Sequence, residues 1–373
     1  RQLRAQRLPM IALFILVAYA VVGVLDSISW RDATRDGQGQ VVRGPDGRPV
    51  LQSQPRTLLD RVFSLGAGTS LGEFEEKTYS APLAGKQFVR DNILKADGTV
   101  QRDFPELRQP ARHLLGTDRT GRDTLYASLK GIRTALILGL FTTLIAVPFA
   151  ILFGVTAGFY GGWVDDAIQY VYTTLSCIPG VLLIIAFMMI AGERSLAMLC
   201  IAMGITSWTG LCRLLRGETM KLRELEYIQA AHAFGVSHWR IISRHILPNV
   251  MHIVLIATVM DFSGLVLAEA VLSYVGVGVD PSMISFGTMI NAARLEMARE
   301  PMVWWALLAA FGFMFTLVLS ANLFADAVQN ALDPRTQTLK QRNKFFQRLG
   351  KKEEAKANTV SKAITSPRSS DHP

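Results

Sequence analysis

Two carboxylates sit inside one long apolar run: Asp261 near the middle of Val250–Val275 and Glu269 toward its end. An ionisable group at bilayer depth costs several kcal/mol, so each is a candidate for carrying an ion or contacting a solute. A buried acid hydrogen-bonded to a neighbouring helix accounts for either residue as well. Catalytic chemistry is harder to place. The chain has no Gly-x-x-x-x-Gly-Lys-Ser/Thr loop for nucleotide phosphates, no His-Glu-x-x-His and no Gly-x-Ser-x-Gly, and no catalytic pair on facing apolar runs. It therefore cannot hydrolyse ATP by the usual machinery. Cys177, Cys200 and Cys212 all fall in apolar runs, without disulfide or metal-ligand spacing, and read as packing residues.

The other stretch with unusual chemistry is Glu226–Asn249, a polar and basic island between apolar runs. Its pattern predicts two short helices joined at Gly235. The first, over about 223–234, stacks Glu226, Ala230 and Ala233 on one face and Tyr227, Ala231 and Phe234 on the next. Alanines there are too small to fill a core but admit another protein's surface closely. Gly235 supplies a left-handed turn, Ser237 caps the second helix, and Pro248 with Asn249 breaks it at the mouth of the next apolar run.

These elements must be held by a membrane scaffold. Half of the 373 residues are hydrophobic and mean hydropathy is +0.27. Six apolar runs are long enough to cross a bilayer: 8–25, 135–159, 167–191, 196–212, 250–275 and 302–325. The first follows Arg1, Arg4 and Arg7. Its length favours an uncleaved span over a signal peptide, although Ala18-Tyr19-Ala20 has small residues at cleavage spacing. An even number of spans puts both termini on one side. The loop 213–248 carries six Lys/Arg against three acids, and the tail from Pro334 ten against three, so that side is the cytoplasm. The short turn at Gly161–Asp166, with Asp165 and Asp166, runs against this trend but is outweighed.

Between the first two spans the chain turns polar. Asp46-Gly47 and Asp97-Gly98 each lie between short apolar strands, predicting hairpins in a small, partly β extracytoplasmic segment. Its many acids nearly balance its bases, so nucleic acid is not an expected partner. The basic tail is expected to stay solvated or to lie on anionic membrane lipid.

Four stretches carry a family resemblance. The island resembles the coupling loop of ABC-importer permeases, a Glu-Ala-Ala triplet with Gly after three residues and Ile-x-Leu-Pro after nine more, through Ala230, Ala231, Gly235, Leu247 and Pro248. Gln229 stands for the Glu and His245 for the Ile, both familiar in the dipeptide, oligopeptide and nickel branch. Residues 113–123 match that branch's C-type signature through His113, Gly116, Thr117, Asp118, Gly121, Arg122 and Asp123. Thr117 or Asp118 is expected to cap a charged, glycine-bearing helix there, at the outer mouth. Glu269, Ala270, Leu272, Ser273, Gly276, Gly278, Pro281, Ser285, Gly287 and Met289 are similar to the family's outer loop, with Phe286 where Trp is usual, a change expected to alter the vestibule lining. Asn322, Asp326, Ala331, Leu332, Asp333, Pro334 and Arg335 resemble its close.

The resemblance spans 112–335 and implies an all-α integral membrane protein of the type I importer permease kind. Its parts would be a cytoplasmic start and first helix (1–25), an extracytoplasmic insertion and entry helix (26–130), a five-helix core (131–333) with the coupling loop at 213–248, and a basic cytoplasmic tail (334–373). It implies a non-catalytic subunit in the inner membrane. ATP would be used by two separate cytoplasmic subunits docked on Glu226, Tyr227, Gln229, Ala230, Ala231, Phe234, Gly235, Leu247 and Pro248. A homologous B-type permease and an extracytoplasmic binding protein would complete the assembly, and no cofactor binds the chain directly. Candidates for the outer mouth or pathway are His113, Asp118, Arg122, Asp123, Asp261, Glu269, Ser285 and Phe286. The expected cargo is a di- or oligopeptide, with a nickel chelate or peptide antibiotic as alternatives. Outside the family, the rivals are an ion-coupled transporter using Asp261 and Glu269, and an intramembrane enzyme.

Overall fold

The computed structural model describes residues 7–31, 41, 43, 46, 56–67, 76–94 and 100–332. Among these, apolar composition dictates a helical architecture. α1 (Arg7–Ser27) is followed by a two-stranded pair, β1 (Ser29–Trp30) with β2 (Arg56–Thr57), and by α2 (Leu58–Ala67). β3 (Asp91–Leu94) and β4 (Val100–Asp103) form an antiparallel hairpin with Leu94 opposite Val100. Its strands flank the Asp97-Gly98 turn, which itself lies outside the described residues, as does all but Val41, Arg43 and Asp46 of the earlier hairpin. The tail from 334 also lies outside them.

Then come α3 (Thr124–Tyr160), α4 (Gly162–Cys177), α5 (Gly180–Ala191) and α6 (Leu196–Arg223). α7 (Glu226–Ala233) and α8 (His238–Ile241) follow, and α8 passes through a π-helical turn (Ile242–Ile246) into α9 (Leu247–Val275). α10 (Phe286–Glu296) and α11 (Trp305–Leu332) complete the described chain.

Five helices are long and apolar enough to cross a membrane, α8, the π-turn and α9 counting as one from His238 to Val275. The sixth expected span, 167–191, is not one straight helix. α4 and α5 meet at 90°. The cause is Pro179, which disfavours helical backbone at the residue before it, and Ile178 is accordingly extended at φ −89°, ψ 131°.

Two spans also run past their apolar stretches. α6 continues to Arg223, so the first half of the expected cytoplasmic loop is helix rather than coil. α3 begins at Thr124, and its N-cap is Asp123, whose side chain accepts from Tyr126 N. Neither Thr117 nor Asp118 caps it.

α3 and α6 form the spine. A Cβ on Gly158 would lie 2.6 Å from Arg216 O, one on Gly154 2.7 Å from Cys212 O, and one on Gly204 2.7 Å from Ile145 Cβ. Small residues let the two backbones approach, the usual basis of helix association in lipid. Polar clamps close both ends. At one end Arg216 of α6 binds Asp165 of α4 through both guanidinium edges, Nε at 2.5 Å and Nη2 at 2.7 Å. Arg223 Nη1 reaches Gly158 O at 3.4 Å and Phe159 O at 3.3 Å, satisfying terminal carbonyls of α3. Of the two acids expected in a turn after α3, Asp165 is thereby paired, and both lie in the first turns of α4. At the other end Lys130 of α3 lies 3.4 Å from Asp26 of α1 and 3.5 Å from Asp60 of α2. Cys200 and Cys212 are buried packing residues, whereas Cys177, expected to pack, is exposed at the end of α4.

Candidate functional site

The island 226–249 folds as an anchored hook. Ile228 of α7 is fully buried and joins Leu215, Ile241, Ile246 and Val250 in one apolar cluster with α3 and α6. Around that anchor, Glu226, Gln229, Ala230 and Ala233 are exposed and Ala231 is half-buried. Phe234 is 87% exposed, Trp239 77% and Tyr227 48%. α7 begins at Glu226 rather than near 223, because α6 occupies the chain up to Arg223.

The helix ends in a Schellman turn. Gly235 N donates to His232 O at 3.0 Å and Val236 N to Ala231 O at 3.1 Å, with Gly235 left-handed at φ +73°. Ser237 occupies the next N-cap position, but its side chain makes no capping bond, contrary to the sequence expectation. Nor does Pro248 break the helix. The π-turn carries the chain through, with Leu247 N bonded to Ile242 O, so the proline ring enters at the first turn of α9.

Two sets of contacts tie the hook to the spans. Tyr227 Oη accepts from Asn249 Nδ2 at 3.4 Å, and the same amide donates to His245 O at 2.7 Å. His232 and His238, on either side of Gly235, pack their rings 5.2 Å apart and 5.5 and 5.6 Å from Phe159 at the end of α3. A displacement of α7 therefore acts on both α3 and α9. These histidines and Trp239 went unread in the sequence. The clue was aromatic rings inside a basic island, but their meeting with Phe159 depends on tertiary structure.

The stretch 113–123 is a folded turn, not a helix. His113 is buried, with Nδ1 2.9 Å from Asp123 Oδ2 and Nε2 3.7 Å from Glu76 Oε1. Asp123 thus holds His113 with one oxygen and caps α3 with the other, Tyr126 N lying 3.0 Å from Oδ1. Asp118 Oδ1 accepts from Thr120 N at 2.8 Å and Arg122 N at 3.0 Å, an inward-closed turn. Thr117 Oγ1 accepts from Ser80 N at 2.7 Å, and Thr117 O accepts from Trp305 Nε1 at 3.0 Å. Gly116 and Gly121 are left-handed, and a Cβ on either would strike Ser80 O or Glu76 O. The segment clamps the polar chain before α3 onto the starts of α3 and α11. His113 and Asp123 belong to that clamp and do not line an opening.

Glu269 is likewise a fastener. It is 2% exposed, and its Oε1 accepts from Ser273 Oγ at 2.7 Å and Ser285 Oγ at 2.8 Å. Ser285 caps α10 through Thr288 N, 3.1 Å away, and Thr288 Oγ1 accepts in return from Ser285 N at 2.9 Å. Phe286 is 1% exposed and packs with Ile132, Val266 and Leu317. It does not line a vestibule. Asp261 differs from these: it is exposed on α9 and borders a small cavity with Thr143, Ser207 and Thr258.

Residues 150–338 match the family described as binding-protein-dependent transport system inner membrane component. The chain belongs to this family. It is a multi-pass membrane protein and a permease subunit of the ABC-importer kind. It is 35% identical over 250 residues to the glutathione transport system permease protein GsiD of Pectobacterium atrosepticum, covering 66% of this chain and 82% of that one. The oligopeptide permease protein OppC of Mycobacterium bovis is 33% identical over 241 residues (64% and 82% covered). The dipeptide permease protein DppC of Bacillus subtilis is 29% identical over 245 (65% and 76%).

Within this permease, Glu269→Ala removes the acceptor of two buried hydroxyls and is expected to cost about 2–3 kcal/mol. Glu269→Gln keeps one carbonyl oxygen and should cost less. Thermal unfolding of the purified protein in detergent reads the difference. Equal melting of both variants with the parent would show that the acid does not hold α10.

Proposed function

We propose that the chain is the C-type permease subunit of an ATP-driven importer of di- or oligopeptides. In this reading, two cytoplasmic ATP-binding subunits are the source of energy and the hook at 226–248 is where one docks. A homologous B-type permease completes the membrane pathway, and an extracytoplasmic binding protein delivers cargo on the side of 26–130. Both termini then face the cytoplasm. The chain itself supplies no catalytic group, and ATP is consumed by its partners.

The observation carrying this reading is the build of the hook. Ile228 is buried to the root in the α3/α6 core while Phe234, the residue just past the end of α7, is 87% exposed beside a left-handed glycine. A large apolar ring kept in water on a rigidly anchored helix marks a protein-docking surface. Among the described residues, nothing beyond its chain neighbours lies within 4 Å of a Cβ built on Gly235, so a partner has access to that turn. Nucleotide binding that draws two ATPases together would pull on α7, and the Asn249 and Phe159 contacts would pass the movement to α9 and α3. A near-complete switch of the cavity needs nucleotide to prefer one arrangement by about 5.5 kcal/mol.

The test is purification of the tagged chain in mild detergent from its own membrane, with mass spectrometry of what accompanies it. Two ATP-binding proteins, a second permease and a binding protein are expected. Recovery of the chain alone, even after cross-linking, would overturn the docking assignment. Uptake of labelled peptides by the recovered assembly then checks the cargo.

A further inference from the structure

Asp261 is the central residue of α9 (Leu247–Val275), half a helix from either end. Among the described residues its carboxylate has neither a hydrogen-bond nor an ion-pair partner. It is also exposed, unlike Glu269 two turns further on. A bare carboxylate against hydrocarbon at this depth is strongly disfavoured, and no cation among the described residues offsets it.

Its surroundings are not hydrocarbon alone. The carboxylate borders a cavity of about 20 Å³ together with Thr143 of α3, Ser207 of α6 and Thr258 of α9. That volume has room for about one water. Three helices therefore place hydroxyl-bearing residues and one acid around a mid-span cavity that is otherwise apolar, with Ala146, Val147, Trp208, Leu211 and Leu265 in its wall, and no lysine, arginine or histidine lines it. Ser207 already donates to Met203 O at 2.7 Å, which leaves its oxygen free to accept. An exposed acid at the centre of a permease's long helix, with no cation beside it among the described residues, gives that face a negative local field.

We propose that Asp261 sets charge selectivity along the translocation path, favouring peptides that bear lysine or arginine side chains over those that bear carboxylates. The inference rests on the peptide-import reading above and deepens it.

The experiment uses the complete importer in proteoliposomes, with ATP-driven uptake of three alanine-framed tripeptides carrying lysine, alanine or glutamate at the centre. Each rate is taken as the ratio of variant to parent for the same peptide, which cancels the preference of the unaltered binding protein. In Asp261→Asn the ratio for the lysine peptide is expected to fall about tenfold relative to that for the glutamate peptide, since a neutral amide removes the attraction for one and the repulsion for the other. Asp261→Glu should preserve the parental order. Asp261→Ser carries the same expectation as Asn and replaces it where the Asn complex fails to co-purify. Equal ratios for all three peptides overturn the proposal: unchanged uptake means the acid is idle, and uniform loss in an intact complex means it pairs with another subunit. A parent importer that takes up none of the peptides sinks the peptide reading itself, and that outcome is visible before any variant is compared.

Discussion

Gly235→Leu and Ala231→Arg are each expected to reduce peptide uptake by the assembled importer to background while the protein remains in the membrane. The two substitutions act differently. At Gly235 the backbone is left-handed at φ +73°, so any residue with a Cβ pays strain of about 1–2 kcal/mol. Among the described residues, no atom beyond its chain neighbours lies within 4 Å of that Cβ. The leucine therefore meets no neighbour of its own, and what it obstructs is the surface offered to a partner. Asparagine tolerates left-handed backbone. If only conformation matters, Gly235→Asn should restore uptake; if close approach matters, it should restore melting temperature without uptake.

Ala231 is half-buried at the edge of the cluster that holds Ile228. An arginine there cannot enter the core and must project across the face between Tyr227 and Phe234. The readouts are membrane level, thermal unfolding, ATPase co-purification and uptake. Melting within a few degrees of the parent with loss of both ATPase association and uptake supports docking on this face. Normal uptake by both variants would remove α7 from the coupling path.

Hydropathy made the spans legible because a bilayer imposes a minimum length on an apolar run, but it marked only the lipid-facing middle of each helix. The amphipathic turns at the water side, Thr124 to Thr134 of α3 and Arg213 to Arg223 of α6, continue the same helices yet fall below any apolar threshold. The 90° break at Ile178-Pro179 was written in the sequence as a proline, and averaging over an apolar window hid it. The π-turn before α9 has no compositional mark. It is a change in which carbonyl Leu247 bonds, and it lets Pro248 sit where its ring would otherwise have stopped the helix.

Site residues divide along the same line. The shape of the hook was legible because its small alanines and left-handed glycine are local features, whereas the burial of Ile228 against α3 and α6 was not. The contacts of His113, Glu269 and Phe286 could not be read from the sequence because each has a partner distant in it: Glu76 for His113, Ser285 for Glu269 and Gly131 for Phe286. A polar residue in an apolar setting announces that it is satisfied somewhere, not by what.

Gly121→Ala should produce the largest loss of stability at the N-terminal end of α3. A Cβ on Gly121 would lie 1.7 Å from Glu76 O and 2.4 Å from Glu76 C, and the residue is left-handed at φ +77°. Both backbones are fixed. Glu76 N donates to Gly121 O at 3.0 Å, and the Glu76 carboxylate accepts from Arg108 N at 3.2 Å and Gln109 N at 3.1 Å. On the other side, the Asp118 turn holds Arg122, next to the Asp123 that caps α3. Relief of the clash must therefore open either the Glu76 nest or the α3 cap. Left-handed strain and a backbone collision together should cost about 3–5 kcal/mol. Gly85→Ala, where no atom of the described residues beyond its chain neighbours lies within 4 Å of the new Cβ, is the control and should melt with the parent. Limited proteolysis should cut the chain between 76 and 123 in Gly121→Ala alone. α3 is 37 residues long, about 55 Å, and carries the 113–123 clamp at one end and Phe159 of the hook contacts at the other. ATPase subunits should therefore still co-purify with Gly121→Ala. Melting and proteolysis equal to the parent would show that 113–123 does not hold the chain before α3 in place, and loss of the ATPases would show that the two ends of α3 are not independent.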